Sequence, residues 1–139
     1  MLKKFLCFDV GTKYIGCAFG HNSEGHKYTK TLHYVSIKKN KVNFNLLNNM
    51  IINLKPDALI IGMPTKNDAN NQFIIDYIKK IRVLLAIKYD ICAFEFCEHL
   101  TSWHAKNIFI KKVRHKVKNR IINSYSAKII LDNFLLKHF

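Results

Sequence analysis

Acidic residues are scarce in this chain. Nine Asp and Glu stand against 23 Lys and Arg, so the formal net charge is +14. A surface of this kind attracts polyanions, and nucleic acid is the usual one. The excess of Lys is not decisive by itself, because the chain is crowded with Lys, Asn, Ile, Phe and Tyr, the residues that AT-rich coding favours. Compositional drift alone would raise the number of Lys residues on any solvated surface. The position of the charges is therefore more informative than their sum.

Long apolar runs, linkers and paired cysteines are also missing. No stretch reaches the roughly 18 apolar residues of a membrane-spanning helix, and the run FLCF before Asp9 is too short for a signal peptide. We therefore expect a cytoplasmic protein. No Pro/Gly/Ser-rich linker divides residues 1–139, so the length predicts one domain. The four cysteines form no CxxC pair, and we expect reduced thiols that are buried at Cys7, Cys17 and Cys92.

Strand and helix patterns alternate along the chain. Apolar runs predict strands at residues 4–9, 14–20, 31–37, 58–64 and 91–97, and the polar stretch 21–27 predicts a loop. Apolar residues at helical spacing predict helices at 43–54, 72–88, 100–109 and 121–137. This order predicts an α/β fold with a five-stranded mixed sheet flanked by helices. Right-handed crossovers would make strands 4–9, 58–62 and 91–97 parallel.

Two acids stand where such a sheet places its binding site, at the carboxyl ends of the parallel strands. Asp9 ends the first strand, and Glu98 follows the last one. A carboxylate at the end of an apolar strand is costly unless it is paired, hydrogen-bonded or metal-bound. On position alone, Asp9 is explained equally well as a cap of the turn at Gly11-Thr12. Glu95 competes with Glu98, although its alternation with two Phe residues suits a half-exposed strand position.

A basic run, KKVRHKVKNR, occupies residues 111–120 between the last two predicted helices. It is either a solvated charged segment or an arm that contacts backbone phosphates. Its place after Glu98 and before Asn123 favours phosphate contact. The seven histidines do not have zinc-site spacing such as HExxH.

Four segments resemble those of one known family. They are FDVGTKYIGCAFG at 8–20, LIIGMPTKNDA at 59–69, FCEHLTSWHAK at 96–106 and INSYSAKIILDNFL at 122–135. Together they resemble the motifs, in order, of the YqgF/RuvX-like pre-16S rRNA nucleases, which are also described as Holliday junction resolvases. The likeness spans nearly the whole chain and implies an RNase H-like fold.

The resemblance also implies a catalytic site of three acids that bind a divalent metal, Mg²⁺ or Mn²⁺. It places the first two at Asp9 and Glu98, as metal ligands, and the third at Asn123, which is not an acid. Asp132, nine residues further along the same helix, is half a turn out of phase and does not replace it. Cys97 stands where the family usually has Asp. The residues expected to bind substrate are Thr12, Lys13, Lys111, Lys112, Arg114 and Lys116.

These residues support a metal-dependent nuclease (a hydrolase) that processes the 5′ end of the 16S rRNA precursor in ribosome biogenesis. The alternatives are a resolvase acting on branched DNA with the same chemistry, and a catalytically weakened RNA-binding factor of ribosome assembly. An actin-like ATPase shares the D-x-G-T loop but requires two lobes and a longer chain. The expected partner is precursor rRNA, and the expected state is a monomer or weak homodimer.

Overall fold

The computed structural model describes residues 2–11, 13–39, 41–63, 72–97 and 119–139, and the side chains of 123–139 within the last range. The predicted helix at 100–109 and residues 111–118 of the basic run lie outside these ranges. Among the described helices, none is long and apolar enough to cross a membrane.

The described elements are six strands and three helices. The strands are β1 (Leu2–Val10), β2 (Tyr14–Ser23), β3 (His26–Lys38), β4 (Lys41–Val42), β5 (Ala58–Met63) and β6 (Cys92–Cys97). The helices are α1 (Phe44–Leu54), α2 (Gln72–Tyr89) and α3 (Asn119–His138). The strands form one sheet in the order β4-β3-β2-β1-β5-β6. β1, β5 and β6 are parallel, and β1 to β4 are joined antiparallel, so the predicted mixed sheet is confirmed.

The prediction of five strands was wrong, because β4 is a sixth. It has two residues, which pair as Ile37↔Val42 and Lys38↔Lys41 across a turn where Lys39 has a φ of 50°. A strand this short and polar leaves no periodic signal. The predicted loop at 21–27 was also wrong: Ser23 pairs with His26, and the hairpin turns on two residues. Both of them, Glu24 and Gly25, have positive φ, as a type I′ turn requires.

Apolar side chains cover both faces of the sheet. Leu6 and Phe8 of β1 belong to a buried cluster that includes residues of α1 and α2. Phe5 and Cys7, which alternate with them, belong to a second cluster that includes residues of α3. The sheet therefore has an α1/α2 face and an α3 face, and each position along β1 belongs to one of them.

Two of the three cysteines predicted to be buried are buried in the structure. Cys7 and Cys17 are buried, but Cys92 is exposed. Cys92 opens β6, which is the last strand of the described sheet and has a partner only on its β5 side. An apolar run alone does not distinguish such a strand from a central one. Burial raises the pKa of the Cys17 thiol, so this group stays neutral as a core residue.

Candidate active site

Asp9 lies near the carboxyl end of β1 and on the α3 face. Because Phe5 and Cys7 point to this face, the residue two positions further along does so as well. Its antiparallel partner in β2 is Gly16, and its side chain is half-buried. The carboxylate therefore points toward the layer occupied by α3.

The backbone of α3 packs directly on Gly16. A β-carbon at this glycine would lie 1.9 Å from the carbonyl oxygen of Asn123, so no other residue fits without moving the helix. The next residue, Ser124, is buried, and its Oγ accepts a hydrogen bond from the backbone N–H of Cys17 at 3.1 Å. These two contacts fix the height of Asn123 over the sheet, directly above the strand partner of Asp9.

The side chain of Asn123 lies over the turn that follows β1. Its Nδ2 is 3.8 Å from the position of a β-carbon on Gly11. The Gly11 N–H donates to the carbonyl oxygen of Tyr14 at 2.9 Å, which closes this turn, and a β-carbon would be only 2.8 Å from that oxygen. The structure thus brings Asp9 and Asn123 to the same edge and the same face of the sheet.

Two other acids that could have supplied a further charge point elsewhere. Glu95 belongs to the α1/α2 face, where its Oε2 is 3.8 Å from Nε of Arg82. Asp132 accepts a hydrogen bond from the hydroxyl of Thr29 at 2.5 Å and pairs with Lys128 at 3.0 Å. The prediction that Asp132 does not replace the missing acid is consistent with these contacts.

Of the predicted substrate-binding residues, the structure describes Lys13. This residue is exposed, and its carbonyl oxygen accepts a hydrogen bond from the N–H of Ile37 at 2.8 Å, which joins the turn after β1 to β3. The predicted metal ligand Glu98 and the other predicted substrate-binding residues lie outside the described residues. These substrate-binding residues are Thr12, Lys111, Lys112, Arg114 and Lys116.

The donors brought together at this edge are one carboxylate and one carboxamide. Both offer hard oxygen atoms, the ligands that Mg²⁺ and Mn²⁺ prefer, and such ions keep several waters when protein ligands are few. Within the described ranges, no group of three or more His, Cys, Asp or Glu is placed to hold a metal. The carboxylate and the carboxamide are therefore of a chemical type that suits a hydrated divalent ion.

Gly16, on which α3 packs, helps to position Asn123 and was not identified from the sequence. The motif at 8–20 includes Gly16, but nothing in the local pattern shows that a helix more than 100 residues later packs on it. Ser124 was missed for the same reason. The available signal was a glycine inside an apolar strand, which often marks a close backbone approach.

Solved structures with the same architecture define the class of this fold. Thermus thermophilus RuvC in complex with a Holliday junction superposes with a TM-score of 0.62 at 11% identity, covering 97% of this chain and 96% of that one. A second structure of Thermus thermophilus RuvC gives 0.55 at 7% identity, with 96% of both chains covered. The fold is therefore the RNase H-like fold of the RuvC-type resolvases, as predicted.

Sequence comparison identifies the family within that class. A family model described as "RuvX: Holliday junction resolvase" matches residues 3–137. A Wigglesworthia glossinidia brevipalpis protein is 34% identical over 131 residues, which are 94% of this chain and 90% of the relative. A Buchnera aphidicola (subsp. Schizaphis graminum) protein is 32% identical over 130 residues, 93% of each chain. Both are named "Putative pre-16S rRNA nuclease". The chain belongs to the RuvX family of nucleases.

Proposed function

We propose that this chain is a metal-dependent nuclease that hydrolyses phosphodiester bonds in the 16S rRNA precursor and so processes its 5′ end. The observation that carries this proposal is the carboxylate of Asp9 at the carboxyl edge of β1, on the face where Asn123 packs over Gly16. The names of the two relatives support precursor rRNA as the substrate.

In this proposal, Asp9 and Glu98 are the metal ligands, and Asn123 completes the catalytic site. When bound, Mg²⁺ or Mn²⁺ supplies Lewis-acid stabilisation of the charge that develops on the phosphate. Asp9 contributes a full negative charge that attracts the ion. The carboxamide of Asn123 contributes a neutral oxygen and an N–H₂ donor within reach of the turn after β1.

The cationic residues hold the substrate backbone. Lys13 is exposed on the turn that follows Asp9, so its ammonium group can neutralise a phosphate next to the reacting one. The further substrate-binding residues in this proposal are Thr12, Lys111, Lys112, Arg114 and Lys116. Contacts to phosphates do not distinguish one base from another, so they position the substrate without selecting its sequence.

The variant Asp9→Asn tests the metal-ligand role. It keeps the size of the side chain but removes its charge, so metal-dependent cleavage of a 5′-extended 16S rRNA transcript should fall by at least about a hundredfold. Cleavage is measured with purified protein in Mg²⁺ or Mn²⁺, and with EDTA as the blank.

The matched control for that experiment is Asp132→Asn. It makes the same chemical change at a carboxylate that pairs with Lys128 and Thr29 instead of facing Asn123. We expect its cleavage rate to stay within about twofold of wild type, since no reacting group depends on it. Wild-type cleavage by Asp9→Asn would show that the site is assigned wrongly.

The second candidate is a Holliday junction resolvase, which the description of the matching family favours. The same residues would hydrolyse a phosphodiester of branched DNA. Side-by-side cleavage of a precursor rRNA and a four-way DNA junction separates the two functions. Selective cutting of a four-way junction requires two active sites, so a protein that stays monomeric at the assay concentration would count against this candidate.

A further inference from the structure

Three aromatic rings form a row beside the proposed site. Tyr14 and Tyr34 meet edge to face, with ring centroids 5.2 Å apart and planes at 82°. His33 stacks on Tyr34 with centroids 4.3 Å apart and planes at 26°. Tyr14 and Tyr34 are half-buried and His33 is exposed, and none of the three belongs to the buried core.

A bulge in β3 creates this row. Ile15 pairs with Val35 and Cys17 with Leu32, so β3 contains one more residue than β2 between these pairs. In a regular strand, His33 and Tyr34 would point to opposite faces. Bulges redirect side chains, and here two consecutive residues place their rings against each other. Nδ1 of His33 also lies 2.7 Å from the carbonyl oxygen of Tyr34, which helps to hold the imidazole.

The row lies on the same face of the sheet as Asp9. Tyr14 is two residues before Gly16, the strand partner of Asp9, so it points to the α3 face. Its carbonyl oxygen closes the turn that follows Asp9. From Tyr14 the row continues across β3, which leads away from Asp9 toward the outer side of the sheet.

The charge around this row suits a polyanion. No Asp or Glu occurs from Gly25 to Pro56, a segment that includes all of β3. Lys13 lies next to Tyr14 in the chain, and its carbonyl oxygen is hydrogen-bonded to β3. Both Lys13 and Lys38 are exposed. Aromatic rings interleaved with cations are what unpaired nucleotides require, because the bases stack and the phosphates are neutralised.

We propose that Tyr14, Tyr34 and His33 form a stacking surface for unpaired bases next to the scissile phosphate. The preferred substrate is then a nucleic acid that is single-stranded on at least one side of the cut. Bases inside a duplex have their faces covered by neighbouring pairs and cannot use this surface. This inference rests on the proposed nuclease function and specifies the form of its substrate.

The test measures binding without cleavage. Wild-type protein and variants are titrated, in EDTA, into a 12-nucleotide single-stranded RNA that carries 2-aminopurine, and into the duplex of the same sequence. Tyr34→Leu removes the aromatic ring but keeps an apolar side chain, whereas Tyr34→Phe keeps the ring and removes only the hydroxyl group. His33→Ala is a second variant at an exposed position, where folding is not at risk.

Tyr28→Leu is the matched control. Tyr28 is a tyrosine of the same strand and is 49% exposed, but it stacks on His21 at 5.2 Å, on the α1/α2 face. We expect Tyr34→Leu and His33→Ala to weaken single-strand binding by about tenfold each, the loss of one base stack. Tyr34→Phe and Tyr28→Leu should bind as wild type does, and the 2-aminopurine quenching caused by binding should be weaker in Tyr34→Leu than in wild type.

Three results would overturn the inference, and they can be told apart. If the wild type binds single-stranded RNA and both Tyr34→Leu and His33→Ala bind equally tightly, the stacking surface is wrong while the nuclease function stands. If the wild type binds neither RNA, the proposed function fails too. Equal losses in Tyr34→Leu and Tyr28→Leu would also overturn the inference, because the effect would not belong to the face of Asp9.

Discussion

At the scale of single residues, the proposed site differs from a site of three acids at one position, Asn123. Asp9 lies on the α3 face, where Asn123 packs over Gly16, and Glu95 and Asp132 pair with Arg82 and Lys128. A carboxamide oxygen attracts a divalent cation less than a carboxylate does, because it carries only a partial charge. If the metal binds as proposed, a site with Asn123 in its third position holds it more weakly than a site with three acids.

The variant Asn123→Asp tests this reasoning. We expect the added carboxylate to lower the Mn²⁺ concentration needed for half-maximal cleavage by about tenfold, since a full charge replaces a partial one near the ion. Cleavage of the precursor transcript is followed while Mn²⁺ is titrated. If the wild type binds RNA without cutting it and the variant cuts, the chain is the weakened assembly factor rather than an active nuclease.

A control with the same charge change is Asn133→Asp, ten residues later on α3 and about 15 Å along its axis. Its half-maximal Mn²⁺ concentration should match that of wild type. An unchanged value for Asn123→Asp would show that Asn123 does not contact the metal.

At single residues, candidates for the site could be selected from sequence only where a local pattern carries the signal. Asp9 ends an apolar strand, and Asn123 occupies a motif position in the last helix, so both could be selected from sequence. The ring stack of His33 on Tyr34 could not, because alternation assigns neighbouring residues to opposite faces and the bulge depends on pairing with β2. Gly16 was missed because its role requires knowing where α3 crosses β2.

At the scale of elements, the position of α3 depends on glycines in the strands beneath it. A β-carbon on Gly16 would meet the backbone of Asn123, whereas one on Gly62 would meet Cδ1 of Ile130 at 2.5 Å. Backbone cannot move without shifting the helix, but the end of an isoleucine side chain can rotate. Gly16 therefore sets the height of the helix over the sheet, whereas Gly62 affects only the packing of one side chain.

Gly16→Ala and Gly62→Ala therefore form a matched pair. We expect Gly16→Ala to lower the free energy of unfolding by about 3 kcal/mol or more, and Gly62→Ala by about 1 kcal/mol. Urea denaturation followed by circular dichroism measures both. Where Gly16→Ala still folds, its cleavage activity should drop together with stability, because Asn123 is displaced from Asp9. Equal stabilities of the two variants would contradict the described contact between α3 and β2.

Elements with strong periodicity were predicted closely, and those defined by pairing were not. α1 and β5 begin and end within about one residue of the predicted bounds, because apolar spacing and Pro56 delimit them. β3 was predicted at 31–37 but runs from His26 to Lys38. Its first half carries alternating Lys, Tyr and Thr, and its strand conformation comes from pairing with β2 rather than from burial.

At the scale of the whole molecule, the charges are unevenly distributed along the chain. The segment from Gly25 to Pro56 has no acid, and residues 111–120 have none either. The first segment forms β3 and β4, at the edge of the sheet away from β6, and α1, which packs on the face opposite Asp9. A polyanion bound across the edge of Asp9 and over β3 would meet cations along its path and few carboxylates.

This distribution predicts strongly salt-dependent RNA binding. If Lys13, Lys111, Lys112, Arg114 and Lys116 each neutralise one phosphate, the logarithm of the association constant should fall with the logarithm of salt concentration with a slope of about −3.5. A rise from about 50 to about 200 mM salt would then weaken binding to single-stranded RNA by about a hundredfold. Fluorescence anisotropy in EDTA gives the slope.

Substitutions separate the phosphate contacts from the stacking contacts. Lys13→Ala should make the slope shallower by about 0.7, the share of one phosphate on a single strand. Tyr34→Leu should lower the affinity at every salt concentration and leave the slope unchanged, because stacking releases no counterions. Lys128→Ala removes the same charge from a lysine that pairs with Asp132 at 3.0 Å, and its slope should equal that of wild type. A slope that changes equally in Lys13→Ala and Lys128→Ala would mean that RNA responds to net charge alone, without the directed contact assigned to Lys13.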